Sequence, residues 1–343
     1  MTMRAVRLHP APKGSPPYTP TNPAPTSALH IDTIPIPTPT PTKNELLIKI
    51  TASTIVRDTL SWPETFSREF FIPGNDLAGT VVEVSNPESK FQVGDEIFGM
   101  TSADRCGTWA EYALVLEEEV ARKPGVFSWE EAAALPLSAM SALEALKHAG
   151  VEVEVPTDED AVTGQKSSAT RKTLITGAAG AVGVYAVQLA KIAGLHVTAA
   201  TSSNDRNAAF LKGLGAHETI EYSVLKTPAH QNAYDIIIDT VGGQTLLDAW
   251  GNVKENGSLV TLDSSSWDFV NEHAKLGIGK DGVKALFFIV EGGTKNLDIL
   301  ACLADLCVLQ VFVLDSYPLE KVREAYERAN GRLTGSGKIL LTV

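Results

Sequence analysis

Residues 173–183 read Thr-Leu-Ile-Thr-Gly-Ala-Ala-Gly-Ala-Val-Gly, and an apolar segment with helical spacing follows them. A short apolar run, a turn rich in glycine and a helix form the first half of a βαβ unit. In such a unit Gly177 permits the turn, Gly180 lets a pyrophosphate approach the backbone, and Gly183 lets the helix lie close to the sheet. The stretch therefore predicts a dinucleotide-binding turn. The alternative is a glycine turn that only packs a helix on a strand.

The end of the next predicted strand, Leu195 to Ser203, indicates which dinucleotide is bound. A site for NAD usually has Asp or Glu about 20 residues after the first glycine, where the carboxylate binds the ribose 2′-hydroxyl. This chain has Thr201, Ser202 and Ser203 there, and Arg206 follows within one turn. Hydroxyl groups and a guanidinium suit a phosphate, so the sequence predicts NADP(H). The alternative is that the serines cap the next helix and Arg206 is a solvated surface charge.

Composition limits the class of protein. The chain has 343 residues, 44% of them hydrophobic and 20% charged, which suggests two globular domains. A net charge of −12 argues against nucleic acid as a partner. The first residues lack the apolar stretch of a signal peptide, and no run approaches the roughly 18 apolar residues of a membrane span. We therefore expect a soluble, cytoplasmic protein without a membrane partner. Its three cysteines fit a reducing compartment.

The first 130 residues predict short strands with glycine turns, which favours a small β-barrel. The predicted strands are Met3 to Leu8, Leu46 to Thr51, Gly79 to Val84 and the segment after the turn at Gly94-Asp95. Residues 9–43 hold most of the prolines and are predicted to form a long connection, and we expect the proline run that ends it, Pro35–Pro41, to be extended and mobile. Residues 129–148 have a helical pattern, whereas residues 151–170 are polar, acidic and aperiodic, which predicts a surface loop.

From Thr173 onward, apolar runs alternate with helical patterns, which predicts a parallel sheet covered on both faces. Ligands of such a sheet bind beyond the carboxyl ends of its strands. The cofactor contacts expected there are the turn residues Gly177, Ala179, Gly180, Ala181 and Val182, together with Val241, Leu262, Phe288, Ile289 and Val290. Two amphipathic helices and a closing strand at residues 338–343 complete the pattern.

The order of these segments resembles the medium-chain dehydrogenase/reductase superfamily, specifically its zinc-free quinone oxidoreductase and enoyl reductase branch. The matching segments are Pro73–Gly79, Val93–Gly99, Gly107–Tyr112, Ala132–Leu137, Gly177–Gly183 and the ending that begins at Gly337. The resemblance implies an α/β protein with a GroES-like β-barrel domain (residues 1–135 and 292–343) and a Rossmann domain with a doubly wound parallel sheet (residues 136–291). It also implies a cleft for NADPH and substrate, and it allows a homodimer.

The resemblance also bears on zinc, which the alcohol dehydrogenases of the superfamily use. In that branch a Cys stands where this chain has Ile55, and Gly-His-Glu stands where it has Gly74-Asn75-Asp76. Ile55 cannot bind a metal, the four-cysteine lobe is missing, and Cys106 is a single thiol, whereas catalytic zinc needs three protein ligands. We therefore predict no metal site.

Other site residues follow from the resemblance alone. Asp58 and Trp62 belong to a loop expected to line the cleft, where Asp58 either orients substrate or anchors the loop and Trp62 is equally consistent with packing. The Ser141 position carries a hydroxyl that meets the nicotinamide in the family, and its alternative is a helix-capping serine. The family places a Tyr like Tyr222 near the adenosine phosphate, against the alternative of a strand-end aromatic, and Lys338 is a further candidate to reach the cofactor.

The predicted activity is hydride transfer that needs no Lewis acid. An enone, an enoyl thioester or a quinone accepts hydride because the conjugated carbonyl spreads the arriving charge. Quinone reductases of the family often carry Asn at Ile55 and Tyr close to Leu60, and this chain has neither, so no proton donor is assigned. Two alternatives remain: a trans-acting enoyl reductase that serves a polyketide synthase, and a catalytically silent NADPH-binding protein.

Overall fold

The computed structural model describes residues 1–156, 171–331 and 333–343. The described chain forms two compact units, Met1–Leu137 with Glu291–Val343, and Ser138–Val290. The predicted surface loop at 151–170 falls mostly outside the described residues, and its first part, 151–156, has no regular secondary structure.

The regular elements are numbered along the chain. The strands are β1 (Thr2–Leu8), β2 (Leu29–Pro35), β3 (Glu45–Ile55), β4 (Asp76–Val84), β5 (Glu96–Met100), β6 (Tyr112–Leu116), β7 (Val120–Arg122), β8 (Lys172–Ile175), β9 (His196–Thr201), β10 (Glu218–Glu221), β11 (Tyr234–Asp239), β12 (Val253–Thr261), β13 (Lys284–Phe287), β14 (Val313–Pro318) and β15 (Lys338–Thr342). The α-helices are α1 (Trp129–Ala134), α2 (Pro136–His148), α3 (Gly183–Ile192), α4 (Asn204–Gly213), α5 (Gly243–Asn252), α6 (Phe269–Lys275), α7 (Thr294–Asp305) and α8 (Val322–Asn330).

The first unit is a β-barrel domain that both ends of the chain build. Its main sheet has the order β14-β15-β3-β4-β5-β7, and β6 pairs with β3 as well. The C-terminal strand β15 runs antiparallel to β3, with Ile339 opposite Ile55. Trp109 is fully buried beside this pair, and its indole N–H donates to the carbonyl of Thr54 at 2.9 Å. The sequence thus brings residues nearly 300 positions apart into one core.

The N-terminal connection is more ordered than the sequence suggested. The prediction of one long connection over residues 9–43 is wrong for Leu29–Pro35, which form β2 and pair antiparallel with β1 along their whole length. Residues 26–34 contain no proline, so every backbone N–H there is available to a ladder. The strands β6, β7 and β14 were also missed.

The second unit is a doubly wound parallel sheet with a helix after most strands, as predicted. Its described strands have the order β10-β9-β8-β11-β12-β13, and all of them are parallel. The central strands are apolar and buried on both faces, for example at Leu174 and Ile237. The order runs outward in one direction from β8 through β9 to β10 and in the other from β11 to β13. The direction of winding therefore reverses between β8 and β11, and this is where such sheets bind ligands.

Candidate cofactor-binding site

Two turns meet at this reversal point, one after β8 and one after β11. Gly177 begins the first turn with φ +64°, in the left-handed region that favours glycine. Thr240 begins the second, and its hydroxyl donates to the carbonyl of Thr176 at 2.9 Å. A Cβ on Gly177 would collide with the Thr240 hydroxyl oxygen. The two turns are therefore packed so closely that a side chain at Gly177 is excluded.

The other turn glycines serve the packing of α3. A Cβ on Gly183 would lie 2.7 Å from Ala178 Cα and closer still to the Gly177 carbonyl oxygen. The first residue of α3 thus has to be glycine for the helix to start against the turn. Gly180 is exposed, and a Cβ there would lie 3.0 Å from the Gly177 oxygen. The start of α3 is consequently reached from solvent across a backbone without bulky side chains.

The start of α3 fits the pyrophosphate of a dinucleotide. The backbone N–H groups of Ala181 and Val182 form no hydrogen bond within the described part of the chain, and both residues are partly exposed. Free N–H groups at the positive end of a ten-residue helix attract phosphate oxygens. Ala179 is also partly exposed and belongs to the same turn.

Tyr222 contacts the glycine turn directly. It follows β10, and its hydroxyl accepts a hydrogen bond from the Gly177 N–H at 2.9 Å. Burial raises the pKa of Tyr222, although the bond from Gly177 acts in the opposite direction. The residue that the resemblance placed near the adenosine phosphate therefore lies against the turn that would hold the phosphates.

A buried carboxylate that the sequence did not indicate lies below the two turns. Asp239 is fully buried at the end of β11, where it accepts hydrogen bonds from Thr176 Oγ1 at 2.5 Å, Thr261 Oγ1 at 2.8 Å and the Gly242 N–H at 2.9 Å. Burial raises the pKa of Asp239, and these donors partly offset that effect. The network ties the ends of β8, β11 and β12 together, so Asp239 shapes the turns without facing solvent.

The end of β9 carries the residues predicted to hold a 2′-phosphate. Ser202 and Arg206 are exposed, and the guanidinium donates to Ser202 Oγ at 3.5 Å, a long hydrogen bond. Thr201 is buried, and its hydroxyl accepts from Asn207 Nδ2 at 2.6 Å. Ser203 precedes α4, but its side chain makes no capping hydrogen bond. The hydroxyl and guanidinium predicted for the phosphate are thus brought together at Ser202 and Arg206.

An acidic residue from the neighbouring strand also reaches this point. Glu221 lies beside Thr201 in the register of β10 and β9. One of its carboxylate oxygens accepts a hydrogen bond from the Asn204 N–H at 2.9 Å, at the start of α4. Glu221 performs the capping that Ser203 does not. The sequence spacing alone gave no sign of it, because the carboxylate comes from a different strand.

The apolar residues predicted near the cofactor lie at the carboxyl ends of their strands, with different exposure. Val241 is 41% exposed, and Leu262 is half-buried after β12. The predicted strand up to Val290 ends instead at Phe287. Phe288 packs against the imidazole of His148, with ring centroids 4.5 Å apart, while Ile289 is largely exposed. Val290 is half-buried at the end of the unit.

Ser141 lies within α2 and is buried. Since α2 begins at Pro136, Ser141 is in the helix interior, and the alternative of a helix-capping serine is wrong.

The loop candidates belong to the first unit. Asp58 has φ +60°, its N–H donates to Asn330 Oδ1 at 3.0 Å, and its carbonyl accepts from Ser61 Oγ at 2.7 Å. Its carboxylate is 67% exposed and 3.8 Å from the Arg57 guanidinium. The backbone of Asp58 therefore anchors the loop, whereas its carboxylate faces solvent. Trp62 is half-buried in the same loop.

Lys338 is committed to a buried ion pair in the first unit. Its ammonium lies 3.3 Å from Asp76 Oδ2, and both side chains are almost completely buried. Asp76 also accepts hydrogen bonds from Thr54 Oγ1 at 2.6 Å and from the Leu137 N–H at 2.7 Å. Lys338 thus neutralises a carboxylate that has no access to water.

The positions that bind zinc in alcohol dehydrogenases do not suit a metal in this chain. Ile55 offers only hydrocarbon, Asn75 donates its amide N–H to the Thr101 carbonyl and to Cys106 Sγ, and Asp76 is held by Lys338. Burial raises the pKa of the Cys106 thiol to about 12, which opposes the thiolate form that binds zinc. Among the described residues no group of three His, Cys, Asp or Glu side chains could hold a metal ion.

Comparisons with known proteins agree with this architecture. The chain matches the family model of the alcohol dehydrogenase GroES-like domain over residues 42–125 and that of a zinc-binding dehydrogenase over residues 181–267. In the described ranges, no helix has the length and apolar character needed to cross a bilayer.

Relatives cover nearly the whole chain. A protein of Arthroderma benhamiae named "Probable zinc-binding oxidoreductase, mitochondrial" is 34% identical, with 93% of this chain and 94% of the relative aligned. The "Chloroplast envelope quinone oxidoreductase homolog" of Arabidopsis thaliana is 30% identical, with 90% and 93% aligned. The mouse "NAD(P)H oxidoreductase RTN4IP1, mitochondrial" is 30% identical, with 85% and 76% aligned. These names contradict the prediction of a cytoplasmic location, since they place the relatives in mitochondria and chloroplasts.

The quinone oxidoreductase of Coxiella burnetii has the same fold over the full length of both chains, with a TM-score of 0.80 at 24% identity. The GroES-like unit, the Rossmann unit and the extent of the aligned relatives lead to one assignment. The chain belongs to the medium-chain dehydrogenase/reductase superfamily, in its quinone oxidoreductase-like branch, and is an oxidoreductase that uses a nicotinamide cofactor.

Proposed function

We propose that this protein is an NADPH-dependent reductase that works without zinc and transfers hydride to a quinone or to an alkene conjugated with a carbonyl. The observation that carries the proposal is the pairing of Ser202 with Arg206 at the end of β9, at a position where NAD sites usually have an acid on that strand. The choice of NADPH over NADH, the independence from zinc and the class of substrate are not given by membership of the family.

The cofactor would be held by groups from several elements. The free N–H groups of Ala181 and Val182 at the start of α3 suit the pyrophosphate. Ser202 Oγ and the Arg206 guanidinium suit the 2′-phosphate, because a guanidinium forms charge-assisted hydrogen bonds to phosphate oxygens. When bound, the reduced nicotinamide supplies a hydride.

Independence from zinc is supported by the side chains at the corresponding positions. Ile55 lies in the apolar core of the first unit, together with Leu60. Asp76 already has a cationic partner and two hydrogen-bond donors. A metal there would have to displace Lys338 and would still lack the three ligands that catalytic zinc needs.

The lack of a Lewis acid favours substrates that stabilise their own negative charge. A carbonyl conjugated with the alkene spreads the charge that arrives with hydride, and a quinone does the same through its ring. Because Ile55 and Leu60 are buried hydrocarbons, neither can donate the proton that completes the reduction. The proton would come from water or from another side chain, while the protein positions the reactants.

Cofactor choice is tested by titration with NADPH and NADH, each followed by its own fluorescence. Arg206→Ala should raise the dissociation constant for NADPH at least about tenfold, the value of a charge-assisted contact, and should leave that for NADH within about twofold. Lys212→Ala, at the last turn of the same helix, is the matched control and should change neither. Equal losses of affinity for both cofactors after Arg206→Ala would contradict the assignment of Arg206 to a 2′-phosphate site.

Substrate class is tested by NADPH oxidation with a panel of enones, quinones and enoyl thioesters, the last both free and carried on an acyl carrier protein. Turnover of free enones or quinones that survives extensive treatment with a chelator supports the proposal. Activity lost on chelation and restored by zinc contradicts it. Turnover only with carrier-bound thioesters would instead indicate a synthase partner, and tight NADPH binding with no turnover would indicate a binding protein.

A further inference from the structure

We infer that Glu221 determines the degree of cofactor selectivity by repelling the 2′-phosphate of NADPH. This inference rests on the proposed NADPH site, because it concerns a charge that faces the same group. It differs from the fingerprint on β9, since Glu221 belongs to β10 and lies 15 residues after Arg206 in the sequence.

The position of the carboxylate is fixed by two contacts. Parallel pairing of β10 with β9 places Glu221 beside Thr201, the last residue of β9. The hydrogen bond from the Asn204 N–H, at 2.9 Å, then holds the carboxylate at the start of α4. Ser202 and Arg206 flank this start, and their own hydrogen bond spans it. A phosphate held by Ser202 and Arg206 would therefore lie a few ångström from Glu221.

The carboxylate also occupies a donor that a phosphate would otherwise use. The first N–H groups of a helix lack partners within the helix and attract anions. At α4 one of them already serves Glu221, which is half-buried and hence less screened than a fully exposed side chain. Asp205 is exposed in the first turn, and within the described chain its carboxylate forms no hydrogen bond or ion pair, so solvent screens its charge more.

The two opposite charges have different consequences for the two cofactors. Arg206 favours the doubly charged 2′-phosphate, while Glu221 opposes it, and the 2′-hydroxyl of NADH carries no charge on which either could act. The difference in binding free energy between NADPH and NADH is thus the attraction of Arg206 minus the repulsion of Glu221. The protein therefore prefers NADPH over NADH less strongly than Ser202 and Arg206 alone would give.

The test is a titration of Glu221→Gln with NADPH and NADH at low ionic strength. Glutamine keeps an oxygen that can accept from the Asn204 N–H, so the variant removes the charge while the capping bond remains. We expect the dissociation constant for NADPH to fall roughly fivefold to tenfold, as Coulomb's law gives for one charge near a partly screened site, while that for NADH changes less than about twofold. The gain should shrink when salt is added.

Glu218→Gln is the matched control, because Glu218 lies at the other end of the same strand, beside Thr198. It should leave both constants unchanged. An NADPH constant that stays the same or rises in Glu221→Gln overturns the inference, and so does an equal gain for both cofactors. If the glutamine variant does not fold, Glu221→Met, which removes the charge and keeps the length of the side chain, is measured against the same criteria.

The outcomes separate this inference from the proposed function. If Arg206→Ala selectively weakens NADPH and Glu221→Gln has no effect, the phosphate site stands and only the role of Glu221 fails. If Arg206→Ala weakens both cofactors equally, the phosphate site itself fails, and Glu221 has no phosphate to repel.

Discussion

The ion pair between Lys338 and Asp76 offers a direct test of how the C-terminal strand β15 is held to β4 in the first unit. Lys338→Met keeps most of the side-chain volume but removes the cation, so Asp76 is left as a buried carboxylate without a counter-charge. Breaking one partner of a buried pair typically costs about 3–5 kcal/mol. Because Thr54 and the Leu137 N–H still donate to Asp76, we expect the lower end of this range, about 3 kcal/mol.

The assay is urea unfolding followed by tryptophan fluorescence, to which the fully buried Trp109 beside this site contributes. A loss of about 3 kcal/mol would lower the urea midpoint by roughly 1 M when the slope is about 3 kcal/mol per M. Lys321→Met is the control, because Lys321 forms an exposed pair with Glu324 at 3.6 Å. Such a pair contributes only about 0–1 kcal/mol.

A second substitution separates charge from packing. In the background of Asp76→Asn the site carries no buried negative charge, so the additional cost of Lys338→Met should fall to about 1 kcal/mol or less, the usual effect of a buried polar change without a charge. A cost below 1 kcal/mol in the wild-type background would refute the reasoning. An undiminished cost in the Asp76→Asn background would show that the stem of Lys338, rather than its charge, is what stabilises the site.

Three further predictions concern other parts of the molecule. Gly183→Ala forces a Cβ against the Gly177 carbonyl, so cofactor affinity should fall at least about tenfold in a fluorescence titration. The control is Gly213→Ala, which has open space around it and should be neutral or raise the free energy of unfolding by up to about 1 kcal/mol. Unchanged cofactor affinity for Gly183→Ala would contradict the packing described. Tyr222→Phe removes the acceptor of the Gly177 N–H and should lower the free energy of unfolding by about 1 kcal/mol, measured by urea unfolding without cofactor, and no measurable loss would show that water replaces the hydroxyl. Burial alone would raise the pKa of Asp32, but hydrogen bonds and charges from His9 and Arg7 outweigh it and lower the pKa. The stabilisation is therefore present above the unfolded value of about 3.9 and is lost as the pH falls through the folded value. The difference in unfolding free energy between wild type and Asp32→Asn should be about 2 kcal/mol at pH 7 and should begin to shrink only below about pH 4, whereas a difference independent of pH would contradict this reasoning.

The parts of the fold that the sequence predicted depend on local signals. The turn at Gly177 and the strand, turn and helix around it follow from the spacing of glycine and apolar residues within about 30 positions. The parallel sheet follows from repeated apolar runs, and the strand order then places Gly177 and Thr240 at the reversal point. A Cβ at Gly177 would meet Thr240, 63 positions away, which explains why glycine is needed there.

The parts that the sequence did not predict depend on pairing between distant segments. β2 becomes a strand because β1 supplies a complete antiparallel partner, a fact that the proline-rich surroundings of residues 29–35 obscure. β14 is stabilised by parallel pairing with β15. The ion pair of Lys338 was not predicted either, because its partner Asp76 lies 262 positions earlier in the sequence. The local sequence pattern can predict that a strand or a helix forms, but the segment that it pairs with depends on the tertiary fold.

The same distinction limits how a cofactor can be inferred from the end of β9. The usual fingerprint treats one strand as if it alone determined the charge around the ribose. In this sheet the end of β10 lies beside the end of β9, so the cation of Arg206 and the anion of Glu221 both act on the region where the ribose 2′-position would lie. Because the electrostatic field there is the sum of the charges on both strands, the missing acid on β9 shows only that β9 itself contributes no negative charge. Cofactor preference in such a site is therefore set by the balance between Arg206 and Glu221, and a change at either residue should move it.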